Sequence, residues 1–301
     1  MVVETGVRFD EEDYFNERGM RLNTCRWLPS PDKAIKGLVF LCHGWGMECT
    51  IYTRETGQKL ASAGYVVYGI DYEGHGKSEG LQGYVPSMDN LVTDCATFFS
   101  NVMDRKENHG KPTFLLGESA GGMVSILISR RDTSRWTGLV LVAPLLKIPA
   151  NVKPPWFVVS MLAKLSALIP TWKIVPAGDF VEKSYKDPTK LDQIRSNPYA
   201  YKGNHRLRTS VELLQSSIFV EAHLAEVSLP FLCVQGSEDA INDPAASQEL
   251  YDSAVSTDKT LKLYPGMWHG LTTGEPDENV ELVFEDITKW LDNHHAELKA
   301  V

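Results

Sequence analysis

A serine, an aspartate and a histidine occur in this chain in the order that one form of nucleophilic catalysis requires. Ser119 is the centre of a G-x-S-x-G pentapeptide, residues 117–121, and Asp239 and His269 follow it along the chain. A serine hydroxyl becomes a good nucleophile when a histidine, oriented by a carboxylate, removes its proton. The chain order Ser, Asp, His is the one found in sheets of alternating strands and helices. The chemistry to test is therefore acyl transfer through Ser119.

The pentapeptide is a weak signal by itself, because an ordinary glycine-rich turn can carry the same spacing. Its context strengthens it. Residues 113–122 predict a short buried strand, then a tight turn that contains Ser119, then a helix. A serine in such a turn lies at a helix N-terminus, where free N–H groups and the helix dipole favour a developing negative charge. Gly117 and Gly121 would let strand and helix approach closely.

A second glycine-rich turn supplies a candidate oxyanion hole. Residues 36–42 form a short continuous apolar run, typical of a strand buried on both faces, and lead into the sequence HGWG at residues 43–46. We predict that the backbone N–H groups of Trp45 and Ala120 bind the carbonyl oxygen of a substrate. The alternative is a plain strand-to-helix turn, and the later G-x-S-x-G favours the functional interpretation.

Several other residues compete for the roles of acid and base. Asp243 and Glu238 are the rival acids, but Asp243 directly precedes a proline and suits the N-cap of a helix. His294 and His295 also follow the acid, yet they fall at the end of a predicted terminal helix. His75 precedes Ser119, and we expect it to brace its own loop. Asp239 and His269 therefore remain the preferred partners of Ser119.

The elements that must position these residues alternate regularly along most of the chain. Apolar runs predict strands at residues 21–28, 36–42, 65–71, 138–143, 229–236 and 260–264, in addition to the strand that begins at Thr113. Helical spacing predicts helices at residues 50–63, 87–109 and 277–293, and a helix after Ser119 that runs to Arg131. This alternation predicts an α/β fold with a doubly wound, mostly parallel sheet. Ligands bind such sheets beyond the carboxyl ends of the strands, where each predicted site residue falls.

The alternation stops between residues 145 and 228, where prolines cluster at positions 149, 154, 155, 170, 176, 188 and 198. We predict a core made of residues 1–144 and 229–301, and a helical lid at residues 145–228. Residues 156–169 are apolar almost all round. They form either a helix packed in the core or, as we favour, a lid helix whose side chains meet substrate. The predicted substrate contacts are Trp156, Phe157, Met161 and Leu165.

Composition limits the partners that we expect. The chain has 301 residues and a net charge of −9, which argues against nucleic acid and against strong attraction to anionic lipid. Its five cysteines form no C-x-x-C pair, so we expect buried, reduced thiols. We also expect no cofactor and no metal, no membrane span, and no signal sequence in the acidic N-terminus. These features favour a cytoplasmic protein with, at most, peripheral membrane contact; they do not address the oligomeric state.

Four motifs together resemble those of monoacylglycerol lipases: HGWG at residues 43–46, GHGKSEG at 74–80, GESAGG at 117–122 and YPGMWHG at 264–270. The stretch GEPDENV at residues 274–280 is similar to the plant branch of that family, which includes lysophospholipase-like proteins and caffeoylshikimate esterases. The resemblance covers nearly the whole chain. It implies an α/β-hydrolase fold with an inserted helical lid, and carboxylester hydrolysis without a cofactor.

The acid loop departs from the family pattern. Residues 236–244 read GSEDAINDP, where relatives usually carry Ala-Asp-x-Val-Thr-Asp-Pro. The aspartates are kept and their neighbours differ. The resemblance implies a small-molecule ester substrate, either monoacylglycerol-like, lysophospholipid-like or a hydroxycinnamoyl ester. An acyltransferase with the same triad and a non-catalytic receptor on the same fold are the remaining hypotheses.

Overall fold

The computed structural model describes residues 6–148, 154–174, 176 and 178–297. Pro149, the first proline of the cluster noted above, lies outside these residues. Within them a single sheet contains eight strands in the order β1-β2-β4-β3-β5-β6-β7-β8. The strands are β1 Arg8–Phe15, β2 Arg21–Leu28, β3 Gly37–Cys42, β4 Tyr65–Ile70, β5 Thr113–Glu118, β6 Gly138–Val142, β7 Phe231–Gly236 and β8 Lys259–Tyr264.

The sheet is parallel from β4 to β8, and β2 pairs antiparallel with both β1 and β4. The mostly parallel α/β sheet is thus confirmed. Strand β1 was not predicted, because its sequence RFDEEDYF is charged and its side chains are largely exposed. It is an edge strand. Backbone pairing with β2 over its whole length holds it, together with an ion pair of 2.9 Å between Arg26 and Asp10.

Helices cover both faces of the sheet. They are α1 Arg54–Ser62, α2 Met88–Met103, α3 Ala120–Arg131, α4 Trp156–Leu168, α5 Phe180–Ser184, α6 Pro188–Ser196, α7 Leu207–Ala222, α8 Pro244–Ser253 and α9 Asp277–Glu297. Leu38 and Phe40 of β3 pack with α2, α3 and α8, whereas Val39 and Leu41 pack with α1 and α9. Successive residues of one strand thus enter opposite cores, which is why the buried strands read as continuous apolar runs.

Two helix starts follow the sequence signals closely. The Ser87 side chain accepts a hydrogen bond from the Asn90 N–H, 3.3 Å, at the start of α2. The Asp243 side chain accepts from the Ala245 N–H, 2.9 Å, at the start of α8, with Pro244 as the first helical residue. Both side chains satisfy amides that a helix start leaves without intrahelical acceptors. The predicted helix at residues 87–109 is too long, since α2 ends at Met103.

Helices α4 to α7 occupy the chain between β6 and β7. Helix α4 is mostly exposed, with Trp156 and Leu168 each 80% accessible to solvent, and Ser166 is its only buried residue. The alternative that this apolar helix packs in the core is therefore wrong. Helix α7 does pack on the core, through Val220, which lies among side chains of α2 and α3. Within the described part of the chain, no helix has the length and apolar character that a membrane crossing demands.

Candidate active site

Ser119 lies in a strained turn between β5 and α3. Its φ is +55°, a value that a residue with a side chain rarely adopts. Such a conformation costs roughly 1–3 kcal/mol and needs support from its surroundings. Here the Ser119 N–H donates to the Val142 carbonyl, 3.0 Å, and the Ser119 carbonyl accepts from the Leu145 N–H, 2.8 Å. The end of β6 therefore holds the turn that presents the serine.

The glycines on either side of Ser119 have no room for a side chain. A Cβ on Gly117 would lie 2.3 Å from the Gly121 carbonyl oxygen, and a Cβ on Gly121 would lie 1.9 Å from the Cys42 carbonyl oxygen. Both contacts are with backbone atoms, which cannot move aside as a side chain can. The close approach of strand and helix expected from the sequence is thus present, and the G-x-S-x-G spacing follows from it.

Asp239 and His269 meet at the carboxyl ends of the neighbouring strands β7 and β8. The His269 Nδ1 lies 2.7 Å from the Asp239 Oδ2, and both residues are buried. Asp239 Oδ2 also accepts from Gln235 Nε2, 2.8 Å, while Oδ1 accepts from the N–H groups of Ile241 and Asn242, 2.8 and 3.0 Å. Burial acts to raise the pKa of Asp239, but the His269 interaction and the two N–H donors together hold it below its usual value.

This arrangement selects the histidine tautomer. An ionised carboxylate can only accept, so the contact at Nδ1 is a donated hydrogen bond and leaves the Nε2 of neutral His269 as an acceptor. A base in that form can take a proton from a serine hydroxyl. The carboxylate and the imidazole thus have the relative geometry of an orienting acid and a general base.

Glu118, the residue before Ser119, is a buried carboxyl group that sequence reasoning did not assign. Its Oε1 accepts from the Tyr52 hydroxyl, 2.9 Å, and its Oε2 from the Thr272 hydroxyl, 3.1 Å. Burial raises the pKa of Glu118 above its usual value, against the opposing effects of these hydroxyls and of His269. Its position inside the pentapeptide was the available signal. Through its bond with Thr272, Glu118 links the serine turn to the loop that follows His269.

The loop after β3 lies against the serine turn. A Cβ placed on Gly44 would be 3.4 Å from the Cβ of Ser119. The Gly44 carbonyl accepts from the Met47 N–H, 3.1 Å, so that Trp45 falls inside a tight turn. Ala120 is the first residue of α3, where an amide has no intrahelical acceptor. Both predicted oxyanion donors thus belong to segments that adjoin Ser119.

The structure places the rival acids and bases elsewhere. Asp243 is used as the N-cap of α8, and Glu238 is exposed. His294 lies in α9, where its Nε2 contacts Asp258 Oδ2 at 2.8 Å, and His295 follows it in the same helix. His75 is buried, with its Nδ1 3.0 Å from the Glu73 carbonyl, and burial lowers its pKa to about 3. It braces its loop as a neutral residue.

Three further buried residues come together where their sequence spacing gave no indication. Possible ligand atoms of His43, Cys49 and Asp71 lie within 4.8 Å of one another. The Asp71 carboxylate accepts from the Cys49 N–H, 2.7 Å, and from Lys77 N–H, 3.0 Å, and the His43 Nδ1 lies 2.8 Å from the Gly44 carbonyl. Burial raises the pKa of the Cys49 thiol, so the thiolate that binds metals is disfavoured. These hydrogen bonds explain why the three residues lie together: they hold in place the loops behind Gly44.

The four predicted substrate contacts in the lid are distributed along α4. Trp156, Phe157 and Met161 are 80%, 59% and 58% exposed, and Leu165 is half-buried. The rings of Trp156 and Phe157 pack edge to face with their centroids 6.1 Å apart. These side chains form part of an apolar surface, and their contact with a substrate stays a prediction.

Two buried residues that support the site were missed. Gln235 donates to Asp239 and accepts from the Ser247 hydroxyl, 2.9 Å, so its amide orientation is fixed. Glu275 is fully buried and accepts from the Trp268 N–H, 2.6 Å, and from Asn279 Nδ2, 2.7 Å. Glu275 lies in the GEPDENV stretch, whose similarity to the plant branch of the family was the sequence feature that could have identified it. It holds the residue immediately before His269.

The strand order, the serine turn after β5 and the acid–histidine pair after β7 and β8 define an α/β-hydrolase. A sequence model of the family described as Hydrolase_4, serine aminopeptidase S33, matches residues 33–277. The chain belongs to that family.

Relatives and solved structures agree with this assignment. The chain is 38% identical to a caffeoylshikimate esterase of Arabidopsis thaliana, over 95% of this chain and 86% of that protein. It is 31% identical to a monoglyceride lipase of Homo sapiens, over 90% of this chain and 87% of that protein. A solved monoglyceride lipase of Saccharomyces cerevisiae shares the fold, with a TM-score of 0.81, 22% identity and 94% coverage of each chain. In enzyme class the chain is a serine carboxylic ester hydrolase, and the resemblance seen in its motifs is confirmed.

Proposed function

We propose that Ser119, His269 and Asp239 form a catalytic triad that cleaves a carboxylic ester through an acyl-enzyme. The observation that carries the proposal is the 2.7 Å contact between His269 Nδ1 and Asp239 Oδ2 at the sheet edge where the strained turn presents Ser119. His269 Nε2 accepts the hydroxyl proton as Ser119 Oγ attacks the ester carbonyl carbon. Asp239 holds the tautomer and stabilises the imidazolium that forms.

The remaining steps follow from the same groups. The N–H groups of Trp45 and Ala120 bind the carbonyl oxygen as it becomes negatively charged. The tetrahedral intermediate collapses, the ester C–O bond breaks, and His269 gives its proton to the leaving alcohol. Water then attacks the acyl-enzyme, with His269 as base, and releases the carboxylic acid and free Ser119. The chemistry needs no cofactor.

The helical segment at residues 145–228 is proposed as a lid over this site. Backbone hydrogen bonds tie it to the loop of His269: among them, the Gly270 N–H donates to the Ser184 carbonyl, 2.9 Å, and the Lys186 N–H donates to the Gly274 carbonyl, 2.8 Å. The segment therefore adjoins the base of the triad. Its exposed apolar residues, including Trp156 and Phe157, would guide an acyl chain toward Ser119.

A single-chain acyl ester of a small polyol, monoacylglycerol-like or lysophospholipid-like, is the substrate class that we favour. Helix α4 exposes large apolar side chains, and Lys164 is its only charged residue. Exposed apolar patches of this kind mark ligand or lipid contacts. A hydroxycinnamoyl ester is the second candidate, because the relative at 38% identity is named a caffeoylshikimate esterase.

A substrate panel tests the proposal. Purified enzyme is assayed with monoacylglycerol, lysophospholipid and hydroxycinnamoyl esters, and with an aminoacyl amide because of the family's name. We expect ester turnover that disappears in Ser119→Ala and persists in Ser253→Ala, a change at an exposed serine in α8. A fluorophosphonate should label Ser119. Full activity in Ser119→Ala would refute the triad, and acylated product on addition of glycerol would instead indicate an acyltransferase.

Peripheral contact with neutral lipid assemblies is a further part of the proposal. The net charge of −9 and the near absence of charge on α4 favour zwitterionic over anionic surfaces. We expect binding to phosphatidylcholine vesicles, measured by co-sedimentation, to fall in the double variant Trp156→Ser/Phe157→Ser. Leu282→Ser, which alters an exposed apolar residue of α9, is the control. Equal binding of both variants would rule out α4 as the contact.

A further inference from the structure

The loop that carries Trp45 is held by the helical segment as well as by the core. The Tyr201 N–H donates to the Gly46 carbonyl at 2.7 Å. The Asn197 Nδ2 donates to Glu48 Oε1 at 2.8 Å, and both of these side chains are buried. Residues 197–201 thus fasten the loop at two points, one residue and three residues beyond Trp45. We call these two hydrogen bonds the clamp.

Ring contacts support the same stretch of loop. The Trp45 ring packs edge-on against Tyr201, with centroids 5.5 Å apart, and lies against the His205 ring at 3.9 Å. Gly46 has a φ of +79°, and a Cβ there would lie 3.0 Å from the Tyr201 carbonyl oxygen. The backbone of the segment therefore approaches the loop as closely as a glycine permits. Neither the sheet nor α3 supplies these contacts.

Glu48 makes the clamp rigid at its core end. Besides Asn197, its carboxylate accepts from the Thr50 hydroxyl, 2.6 Å, and from the N–H groups of Ile51 and Tyr52, 2.9 and 2.7 Å. Burial opposes ionisation of Glu48, but these donors together lower its pKa below the usual value. An ionised carboxylate fixed by backbone donors is a strong acceptor, so the bond from Asn197 is charge-assisted.

We propose that Asn197 is a positioning residue for the oxyanion hole, acting through Glu48 to fix the direction of the Trp45 N–H. The inference rests on the proposed function and adds to it a role for the helical segment in catalysis itself. A donor must lie within hydrogen-bond distance of the place where the negative charge develops, and a displacement of about 1 Å can cost up to ~100-fold in rate.

The competing explanation is that the clamp only secures the segment to the core. The two explanations differ in what a broken clamp changes. Loss of a transition-state donor lowers kcat and the affinity for a tetrahedral analogue, while KM is retained. Loosening of the segment alone alters KM or thermal stability, because substrate binding and folding depend on where the segment lies.

Asn197 allows one of the two clamp bonds, the one to Glu48, to be broken without losing the local turn. Its Oδ1 accepts from the Tyr199 N–H, 2.9 Å, while its Nδ2 donates to Glu48. Asn197→Asp keeps the turn acceptor but replaces the donor with an oxygen that faces a carboxylate. Asn197→Ala removes both interactions. Ser196→Ala is the matched control, since its exposed hydroxyl bonds to the Gln193 carbonyl within its own helix, α6.

The measurements are kcat and KM with a p-nitrophenyl ester, the inhibition constant of an alkyl trifluoromethyl ketone, and the melting temperature. We expect kcat to fall about 10-fold or more in both Asn197 variants, with KM within about twofold and weaker binding of the ketone in proportion. Ser196→Ala should behave as the wild type. Wild-type kcat and ketone affinity in both folded Asn197 variants would overturn the proposal, as would an effect confined to KM.

Two further measurements keep the test decisive. If the Asn197 variants do not fold, His205→Ala offers a second test, because it removes the ring against Trp45 and keeps both clamp bonds. We expect a smaller loss of kcat, again with KM retained and weaker binding of the ketone. An unchanged kcat would contradict the role of these contacts. Fluorophosphonate labelling of the wild type and of Ser119→Ala tests the triad independently. Normal labelling with no effect at Asn197 or His205 defeats this inference alone, whereas absent labelling defeats the proposed function.

Discussion

Replacing Asp239 with Asn should abolish most activity while leaving the fold in place. The Oδ1 of Asp239 accepts from two backbone N–H groups, so the oxygen of an asparagine must occupy that position. The new NH2 group then takes the place of Oδ2, facing Gln235 Nε2 and His269 Nδ1. Gln235 cannot readily turn its oxygen toward it, because that oxygen accepts from Ser247.

The substitution changes which ring nitrogen of His269 carries the proton. An NH2 group donates, so His269 Nδ1 must become the acceptor and the ring proton moves to Nε2, the atom that should receive the serine proton. A triad with the wrong tautomer loses about 10⁴-fold in kcat, or about 5 kcal/mol of transition-state stabilisation. KM should change little, because the carboxylate does not touch substrate.

The assay is steady-state hydrolysis of a p-nitrophenyl ester across pH, with circular dichroism to verify folding. Two neighbouring acids provide controls. Asp243→Asn keeps a good N-cap for α8, and Glu238→Gln alters an exposed side chain, so both should retain wild-type kcat. The reasoning is refuted if Asp239→Asn keeps more than about a tenth of wild-type kcat, or if Asp243→Asn causes the larger loss.

Three other changes test the site and its supports. Glu118→Gln replaces a buried carboxyl group that accepts hydrogen bonds from two hydroxyls, and we expect kcat to fall about 10-fold with little change in melting temperature. An unchanged kcat would contradict a role for this carboxyl group. Gly121→Ala puts a Cβ 1.9 Å from the Cys42 carbonyl oxygen and should give no folded protein. The control is Gly110→Ala, where a Cβ has nothing within 4 Å and only the positive φ causes strain, so urea unfolding should show a loss of about 1 kcal/mol. A soluble, active Gly121→Ala would show that strand and helix can separate. His75 stays neutral in the fold down to a pKa of about 3, whereas in the unfolded chain it takes up a proton below its usual 6.5, so acidification favours unfolding. Between pH 7.5 and pH 5 the free energy of unfolding should therefore fall by about 2 kcal/mol less in His75→Gln than in the wild type, and equal slopes would argue against a buried, neutral His75.

The local sequence determined those features of this protein that depend on residues close together in the chain. The apolar runs of β3 to β7 predicted buried parallel strands because both faces of each strand are covered. Gly117 and Gly121 marked the serine turn because the backbone there leaves no space for a Cβ. Asp243 before Pro244 predicted an N-cap, which removed the main rival of Asp239. Ser119, Asp239 and His269 each follow a predicted strand directly, which indicated that they lie at one sheet edge, since parallel strands end on the same side.

Tertiary structure decided what depends on residues far apart in the chain. The charged strand β1 has no apolar pattern of its own and exists through its pairing with β2. The exposure of α4 could not be predicted from its composition, because an apolar helix has the same sequence pattern in a core and at a surface. Glu118 is held by a hydroxyl 154 residues away, and Glu48 by an amide 149 residues away. Sequence spacing describes neighbours along the chain, whereas these buried polar contacts are fixed only when the sheet and the helical segment come together.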